Sequence, residues 1–135
     1  MFEGLTPRAQ KIIGLMAQEE AKRLNHDKLV PEHILLGLLK HGQGIAIDTL
    51  KNLGIDLDEL QRDIENAIKK SGENLMLGEV PPSPRIEKVL RYNAEESKNL
   101  GHTYIGTEHL LLGILREDNS KAAMILESRG VKLDK

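Results

Sequence analysis

The stretch that decides the fold is LGHTYIGTEHLLLGIL at residues 100–115, because residues 24–39, LNHDKLVPEHILLGLL, have a closely similar sequence. The two stretches align at a constant offset of 76 positions, with Glu-His and Leu-Leu-Gly at matching places. A repeat at such a period predicts two copies of one structural unit. We therefore expect a scaffold with matched pockets or a seam between copies, rather than one asymmetric active site.

The repeat extends in both directions from these stretches. Upstream, Thr6-Pro7-Arg8 matches Ser83-Pro84-Arg85 at an offset of 77, so the first copy carries one extra residue between Ile13 and Leu24. One extra residue turns the later side chains of a helix by about 100° unless a bulge absorbs it. Downstream, copy one continues into a helix whose counterpart is missing from copy two, which indicates a fragment of something longer.

Composition limits the classes of function. The 135 residues fit one domain, expected to be monomeric in isolation. A net charge of −2, with no basic run beyond Lys69-Lys70, argues against nucleic acid as the main partner. No apolar run approaches the roughly 18 residues of a membrane span, and the start MFEGLTPRAQ lacks a secretory signal core. The absence of cysteine excludes disulfides and thiolate zinc sites and agrees with a cytoplasmic location.

The spacing of apolar residues predicts helices almost throughout. Thr6 is expected to cap the first helix with Pro7 at its first position, and Asp58 to cap the fourth. The predicted helices are 6–24, 31–40 (or 32–40), 45–53, 59–70, 84–100, 107–117 and 120–129. The fold class is therefore all-α: a tandem repeat of two four-helix units with pseudo-two-fold symmetry, the last helix of the second repeat being truncated. Repeat one takes residues 1–70, a linker 71–82, and repeat two 83–135.

The paired Glu32-His33 and Glu108-His109 are the obvious candidates for catalysis or metal binding. A zinc-binding helix needs two histidines separated by three residues, whereas each of these helices has one. We expect each of these histidines to be partly buried and hydrogen-bonded, His26 and His102 to pack in loops, and His41 to lie on the surface. No phosphate loop, dinucleotide fingerprint or nucleophile elbow is present. A small hydrolase or metal enzyme built on the two Glu-His pairs stays open as a minor alternative.

The two helix starts form a second constellation. Thr6-Pro7-Arg8 and Ser83-Pro84-Arg85 each place a hydroxyl, backbone N–H groups and an arginine at a helix N-terminus, a combination that suits phosphate. Ordinary capping beside a surface arginine is the simpler interpretation of either start alone. Because both starts recur near a repeated glutamate, they also suit a ligand that carries both a phosphate and a cation.

These segments resemble a known family. The pairs TPRAQK and SPRIEK, and PEHILLGLL and GTEHLLLGIL, are similar to the Clp N-terminal repeat domain of ClpC-like Hsp100/Clp AAA+ unfoldases, over almost the whole chain. The resemblance implies a non-catalytic domain without cofactor or metal. It implies adaptor proteins and protein substrates as partners, and delivery to the ClpP peptidase through an ATPase part that lies outside this sequence.

The resemblance further implies two sites for phosphoarginine, a degradation mark on proteins. A glutamate would meet the guanidinium and a helix start the phosphate; the matching residues here are Glu32 and Glu108 for the first role, Thr6, Arg8, Ser83 and Arg85 for the second, with Thr107 beside them. Copy one departs from the family pattern at Val30, at Pro31 and at its extra residue, so we expect its site to be the poorer one.

Hydrophobic docking of unfolded segments or adaptors is the alternative function. It would use the apolar residues of the linker, or the groove between the repeats. The linker residues concerned are Leu75, Met76, Leu77 and Val80. Salt distinguishes the two modes, because screening weakens phosphate binding and leaves apolar docking intact.

Overall fold

The computed structural model describes residues 5–24, 26, 28–68, 83–101, 105–117 and 120–131. The helices are α1 (Pro7–Lys11), a π-helical segment (Ile12–Met16) that continues directly into α2 (Ala17–Arg23), α3 (Pro31–His41), α4 (Ile45–Asn52), α5 (Leu57–Ile68), α6 (Pro84–Asn99), α7 (Thr107–Arg116) and α8 (Lys121–Ser128). An isolated parallel bridge joins Leu5 to Ile105. The all-α prediction is confirmed, and the predicted helices begin and end within about two residues of the observed ones. The predicted linker 71–82 lies outside the described residues, so the repeat boundaries stay a prediction.

The π-helical segment absorbs the extra residue of copy one. The Ala17 N–H donates to the Ile12 carbonyl, five residues back instead of four, which takes up one residue without turning the rest of the helix. As a result Ala17 and its counterpart Asn93 both face a glycine of the next helix. A Cβ on Gly37 would lie 3.2 Å from Ala17 N, and a Cβ on Gly113 would overlap the Asn93 side-chain amide. The bulge keeps the two repeats in register.

The central helices α3 and α7 form the middle of the core. Every residue of α3 from Pro31 to Leu39 is buried, as are most residues of α7. Helix α5 of repeat one packs against α8 of repeat two as well as against α3. Arg129 after α8 pairs with Glu59 at 3.3 Å and also with Asp63, both on α5. The repeats therefore interlock instead of packing as separate units.

Two backbone hydrogen bonds bring the start of each repeat to the central helix of the other. The Thr6 N–H donates to the Ile105 carbonyl at 2.9 Å, just before α7. The Ser83 N–H donates to the Leu29 carbonyl at 2.8 Å, just before α3. Each helix start thus lies beside the glutamate of the opposite copy, so any pocket at this place is shared between repeats.

One local prediction was wrong. Helix α5 begins at Leu57, and its cap is Asp56, whose Oδ1 accepts from the Glu59 N–H at 3.1 Å. Asp58 lies inside the first turn instead, because Leu57 already packs against the core and draws the helix start back. His41 is partly exposed, and its Nδ1 is buried without a hydrogen-bond partner in the described structure.

Candidate ligand-binding pockets

The first pocket, called here the Glu108 pocket, joins the start of α1 to the start of α7. It has a volume of about 440 Å³ and is lined by Thr6, Pro7, Arg8, Ile45, Gly106, Thr107 and Glu108. The Thr6 hydroxyl caps α1 by accepting from the Ala9 N–H at 3.2 Å. The arginine and the carboxylate come from different repeats, as the Thr6–Ile105 bond requires. The pocket therefore offers a cation and an anion in one cavity.

Thr107 ties the two repeats together at this pocket. Its buried hydroxyl accepts from the Ala46 N–H at 3.3 Å, in the first turn of α4. The Thr107 side chain lies close to the Gly44 backbone, since a Cβ on Gly44 would lie 2.8 Å from Thr107 Oγ1, and Gly44 has φ 112°. Only glycine adopts this conformation without strain. Thr107 is thus a structural contact between α7 and α4 that also borders the pocket.

The second pocket, called the Glu32 pocket, is the pseudo-symmetric counterpart. It has a volume of about 340 Å³ and is lined by His26, Lys28, Val30, Glu32, His33, Ile68, Arg85 and Lys121. Glu32 and Arg85 match Glu108 and Arg8 of the first pocket. The structure therefore brings together one glutamate and one arginine of the predicted set in each pocket, always from opposite repeats.

Ser83 differs from its counterpart Thr6. It makes no side-chain capping bond to α6, and its buried Oγ has no hydrogen-bond partner in the described structure. It does not belong to the described lining of the Glu32 pocket. Its backbone N–H, bonded to Leu29, is what positions this helix start. Of the predicted pocket residues, Ser83 is the one that the structure leaves outside.

Glu32 caps a helix of the other repeat. Its side chain is buried, and Oε2 accepts from the Ala122 N–H at 2.7 Å at the start of α8. In the other copy the equivalent acceptor is the Thr107 hydroxyl, which accepts from the Ala46 N–H at the start of α4. Pro31 stands at the equivalent position in copy one and has no hydroxyl, so the carboxylate of the next residue takes the role. Glu108 is half-buried by comparison.

His33 and His109 close the loops that precede their helices. His33 Nδ1 accepts from the Val30 N–H at 3.0 Å, and His109 Nδ1 accepts from the Gly106 N–H at 2.9 Å. The backbone N–H of His33 donates in turn to the Val30 carbonyl at 2.9 Å, and that of His109 to the Gly106 carbonyl at 3.1 Å. These reciprocal bonds form a capping box at the start of each helix. The predicted hydrogen bonding is confirmed, but both side chains are fully rather than partly buried. His102 lies outside the described residues.

Both ring nitrogens of His33 are occupied. Nδ1 accepts a backbone N–H, so in the neutral ring Nε2 carries the proton and donates to His26 Nδ1 at 2.8 Å. The two rings pack at 5.0 Å between centroids, as expected for a loop-packing His26. Over the described part of the chain, no group of three or more His, Asp or Glu side chains could hold a metal ion. The geometry of His33 suits structure and leaves no nitrogen for a ligand.

Burial, and to a smaller extent the neighbouring His26, together lower the pKa of His33 to about 3. An unfolded histidine has a pKa near 6.5, so the unfolded chain binds the extra proton first. The contribution of neutral His33 to stability is therefore complete above about pH 6.5 and is lost progressively as the pH falls towards 3.

We expect the free energy of unfolding to fall as the pH drops below 6.5, by up to about 1.4 kcal/mol per pH unit from this residue. Urea denaturation between pH 7 and 5, with His33→Gln as the control, measures the effect. The variant should show a shallower pH dependence, because glutamine does not titrate. Equal slopes for the two proteins would contradict the assignment.

The pockets contain residues that the sequence interpretation did not select. Lys28, Ile45 and Lys121 line them, and His26 was assigned to loop packing alone. One signal could have found two of them, because Ile45 and Lys121 are equivalent at the offset of 76. Both stand at the first position of the helix that follows each central helix.

The fold and the two pockets define a helical tandem-repeat domain with paired inter-repeat pockets. Residues 4–129 match the family described as the Clp repeat (R) N-terminal domain. The chain belongs to this family. It is an N-terminal domain of the ClpC/ClpA type. The resemblance inferred from the doubled Glu-His motif is confirmed.

Two relatives and one solved structure show the extent of the similarity. The chain is 44% identical over 135 residues to the "Negative regulator of genetic competence ClpC/MecB" of Bacillus subtilis, covering 100% of this chain and 16% of that protein. It is 48% identical over 130 residues to the chloroplastic chaperone protein ClpC1 of rice, covering 96% and 14%. A ClpV N-domain solved in complex with a VipB peptide shares the fold, with a TM-score of 0.77 and 19% identity, covering 97% and 81%.

The chain spans about one-sixth of the length of the curated relatives that it matches. The match concerns one domain of those proteins. Within the described residues, each helix is too short or too polar to cross a bilayer.

Proposed function

We propose that this domain docks adaptors and substrates for a cytoplasmic ClpC-type AAA+ unfoldase, and that it recognises proteins marked with phosphoarginine. The motor that consumes ATP and the link to the ClpP peptidase belong to other parts of such a machine. The domain itself supplies binding and no catalysis.

The main support for this proposal is that Arg8 and Glu108 line the same cavity, where the Thr6–Ile105 hydrogen bond holds their segments side by side. Phosphoarginine carries a phosphate at the end of a guanidinium. An arginine side chain binds phosphate through two parallel hydrogen bonds, and a carboxylate does the same for a guanidinium. A pocket with one group of each kind therefore matches both ends of this ligand.

Two further facts support binding of a peptide segment. The Glu108 pocket is open and lies on the surface, with the half-buried Glu108 at its edge. The related ClpV N-domain has been solved with a peptide of VipB, so the fold is able to hold a peptide in that protein.

We expect Glu108→Ala to weaken binding of a phosphoarginine peptide about tenfold, more than Glu32→Ala does. The reason is that one carboxylate oxygen of Glu32 already accepts a hydrogen bond from the Ala122 N–H. Isothermal titration calorimetry with the phosphorylated peptide and its unphosphorylated twin is the measurement. Heat should also decline as salt rises from about 50 to 500 mM. No heat with the wild-type domain, or equal affinity for both peptides, would refute the proposal.

Hydrophobic docking is the second candidate, and a groove between repeats favours it. Its lining is almost entirely apolar, from α4, α7 and the turns that follow α6 and α8: Ala46, Thr49, Leu53, Leu100, Glu108, Leu111, Leu112, Leu115 and Val131. Leu53 and Leu100 at its rim are exposed. The linker residues that could serve the same purpose lie outside the described part. Binding of an unphosphorylated apolar peptide that persists in high salt would favour this function over phosphoarginine recognition.

A further inference from the structure

The two pockets are related by the repeat but differ in charge. The Glu108 pocket contains one cation, Arg8, and one carboxylate, Glu108. Among its described lining residues, the Glu32 pocket contains Lys28, Arg85 and Lys121 and one carboxylate, Glu32, leaving its histidines aside. Over the described lining, the second pocket therefore has more positively charged side chains for each carboxylate than the first.

One pair of equivalent positions accounts for much of this difference. Ile45 at the start of α4 and Lys121 at the start of α8 are 76 positions apart and occupy the same place in their pockets. Ile45 is 53% exposed, which is a large fraction for an isoleucine side chain, and it is not among the described core residues. Lys121 is also exposed, and its Nζ donates to the Ala67 carbonyl at 2.8 Å, at the rim of the pocket.

Their location at the rim decides what they can contact. The arginine and glutamate of each pocket would hold the phosphoarginine itself, so the rim positions face the residues on either side of it in a peptide. An exposed isoleucine gains free energy by covering an aliphatic neighbour. A lysine gains by pairing with an acidic neighbour, and Lys28 adds to the same field.

We propose that Ile45 and Lys121 determine a division of specificity: the Glu108 pocket prefers phosphoarginine flanked by aliphatic residues, and the Glu32 pocket prefers phosphoarginine flanked by aspartate or glutamate. This inference rests on the proposed phosphoarginine function. It gives the repeat a purpose beyond duplication, because two related pockets then cover two classes of marked segment.

The test uses two phosphoarginine peptides that differ only in their flanks, Leu-Val or Asp-Glu. Titration by two-dimensional NMR follows the backbone amides of Gly106 and Val30, which report on the Glu108 and Glu32 pockets separately. The acidic-flank peptide should bind about three- to fivefold more tightly than the aliphatic one at the Glu32 pocket, with the reverse order at the Glu108 pocket. The difference at the Glu32 pocket should shrink in 500 mM salt.

Exchanging the two residues provides the matched control. Ile45→Lys should give the Glu108 pocket an acidic-flank preference, and Lys121→Ile should abolish that preference at the Glu32 pocket. Lys121→Gln keeps a donor for the Ala67 carbonyl and removes only the charge, so it should act like Lys121→Ile. Thermal melting checks that each variant folds.

The outcomes separate the two proposals. Shifts at both amides with no dependence on the flanks, or with a dependence that the exchanges leave unchanged, overturn the division of specificity alone. No shift at either amide with either peptide overturns the phosphoarginine function, and the specificity proposal falls with it.

Discussion

Replacing Gly113 by alanine is expected to destabilise the domain by about 3 kcal/mol or more. A Cβ at this position would overlap the Asn93 side-chain amide and lie 2.8 Å from the Val89 carbonyl oxygen. Asn93 has little room to move away, because it is fully buried and its amide nitrogen donates to the carbonyls of Val89 and His109 at 3.0 and 2.8 Å. The tightest contact between α6 and α7 would have to open.

Two other helical glycines supply controls for this substitution. Gly37 is the equivalent of Gly113, but its Cβ would meet Ala17 N at 3.2 Å, so Gly37→Ala should cost about 1 kcal/mol or less. Gly14 has nothing within 4 Å of its Cβ, and Gly14→Ala should stabilise by up to about 1 kcal/mol through helix propensity. Chemical denaturation of the three variants measures the order. A Gly113 variant as stable as the Gly37 variant would show that the α6–α7 contact yields easily.

The second large effect is expected from Glu32→Ala, a loss of about 2 kcal/mol in the free energy of unfolding. Glu32 is only 5% exposed, and its carboxylate satisfies the Ala122 N–H at the start of α8. Alanine would leave this buried N–H without a partner and would remove a negative charge from the positive end of a helix. Helix α8 should loosen first, since the bond joins it to α3.

Glu108→Ala is the matched control, because Glu108 occupies the equivalent position while the α4 start is held by the Thr107 hydroxyl. Its stability should fall by clearly less than that of Glu32→Ala, because the N–H at the α4 start keeps its acceptor. Glu32→Gln keeps an acceptor for Ala122 and should fall between the alanine variant and wild type. Denaturation curves together with hydrogen exchange at the Ala122 amide provide the data. If both alanine variants lose the same stability, the cap is not the special role of Glu32.

These stability measurements also show whether a variant loses binding because it has lost its folded structure. A Glu32 variant that binds phosphoarginine poorly could do so because α8, which carries Lys121, has moved. A Glu108 variant that folds like wild type and loses binding carries no such ambiguity. The binding comparison is therefore interpreted at a temperature where both variants are fully folded.

Local structure followed the sequence closely for a physical reason. Helix positions depend on residues three or four apart, and caps on residues within one turn, so both can be read in a short window. The extra residue of copy one was visible as a change of offset from 76 to 77, and its bulge lies within Ile12–Met16. The wrong cap at Asp58 shows the limit, because two aspartates lie within one turn and the structure uses Asp56, which leaves Leu57 packed against the core.

The sequence by itself determined the helices, the doubling, the family and the residue types that could bind a phosphate and a guanidinium. Only the tertiary structure decided which of those residues meet. The pairing of Arg8 with Glu108 and of Arg85 with Glu32 depends on the backbone bonds Thr6–Ile105 and Ser83–Leu29, which join residues far apart in the chain. Nothing in a repeat distinguishes pairing within a copy from pairing between copies, because both keep the same local pattern. The packing of the interlocked helices makes that choice.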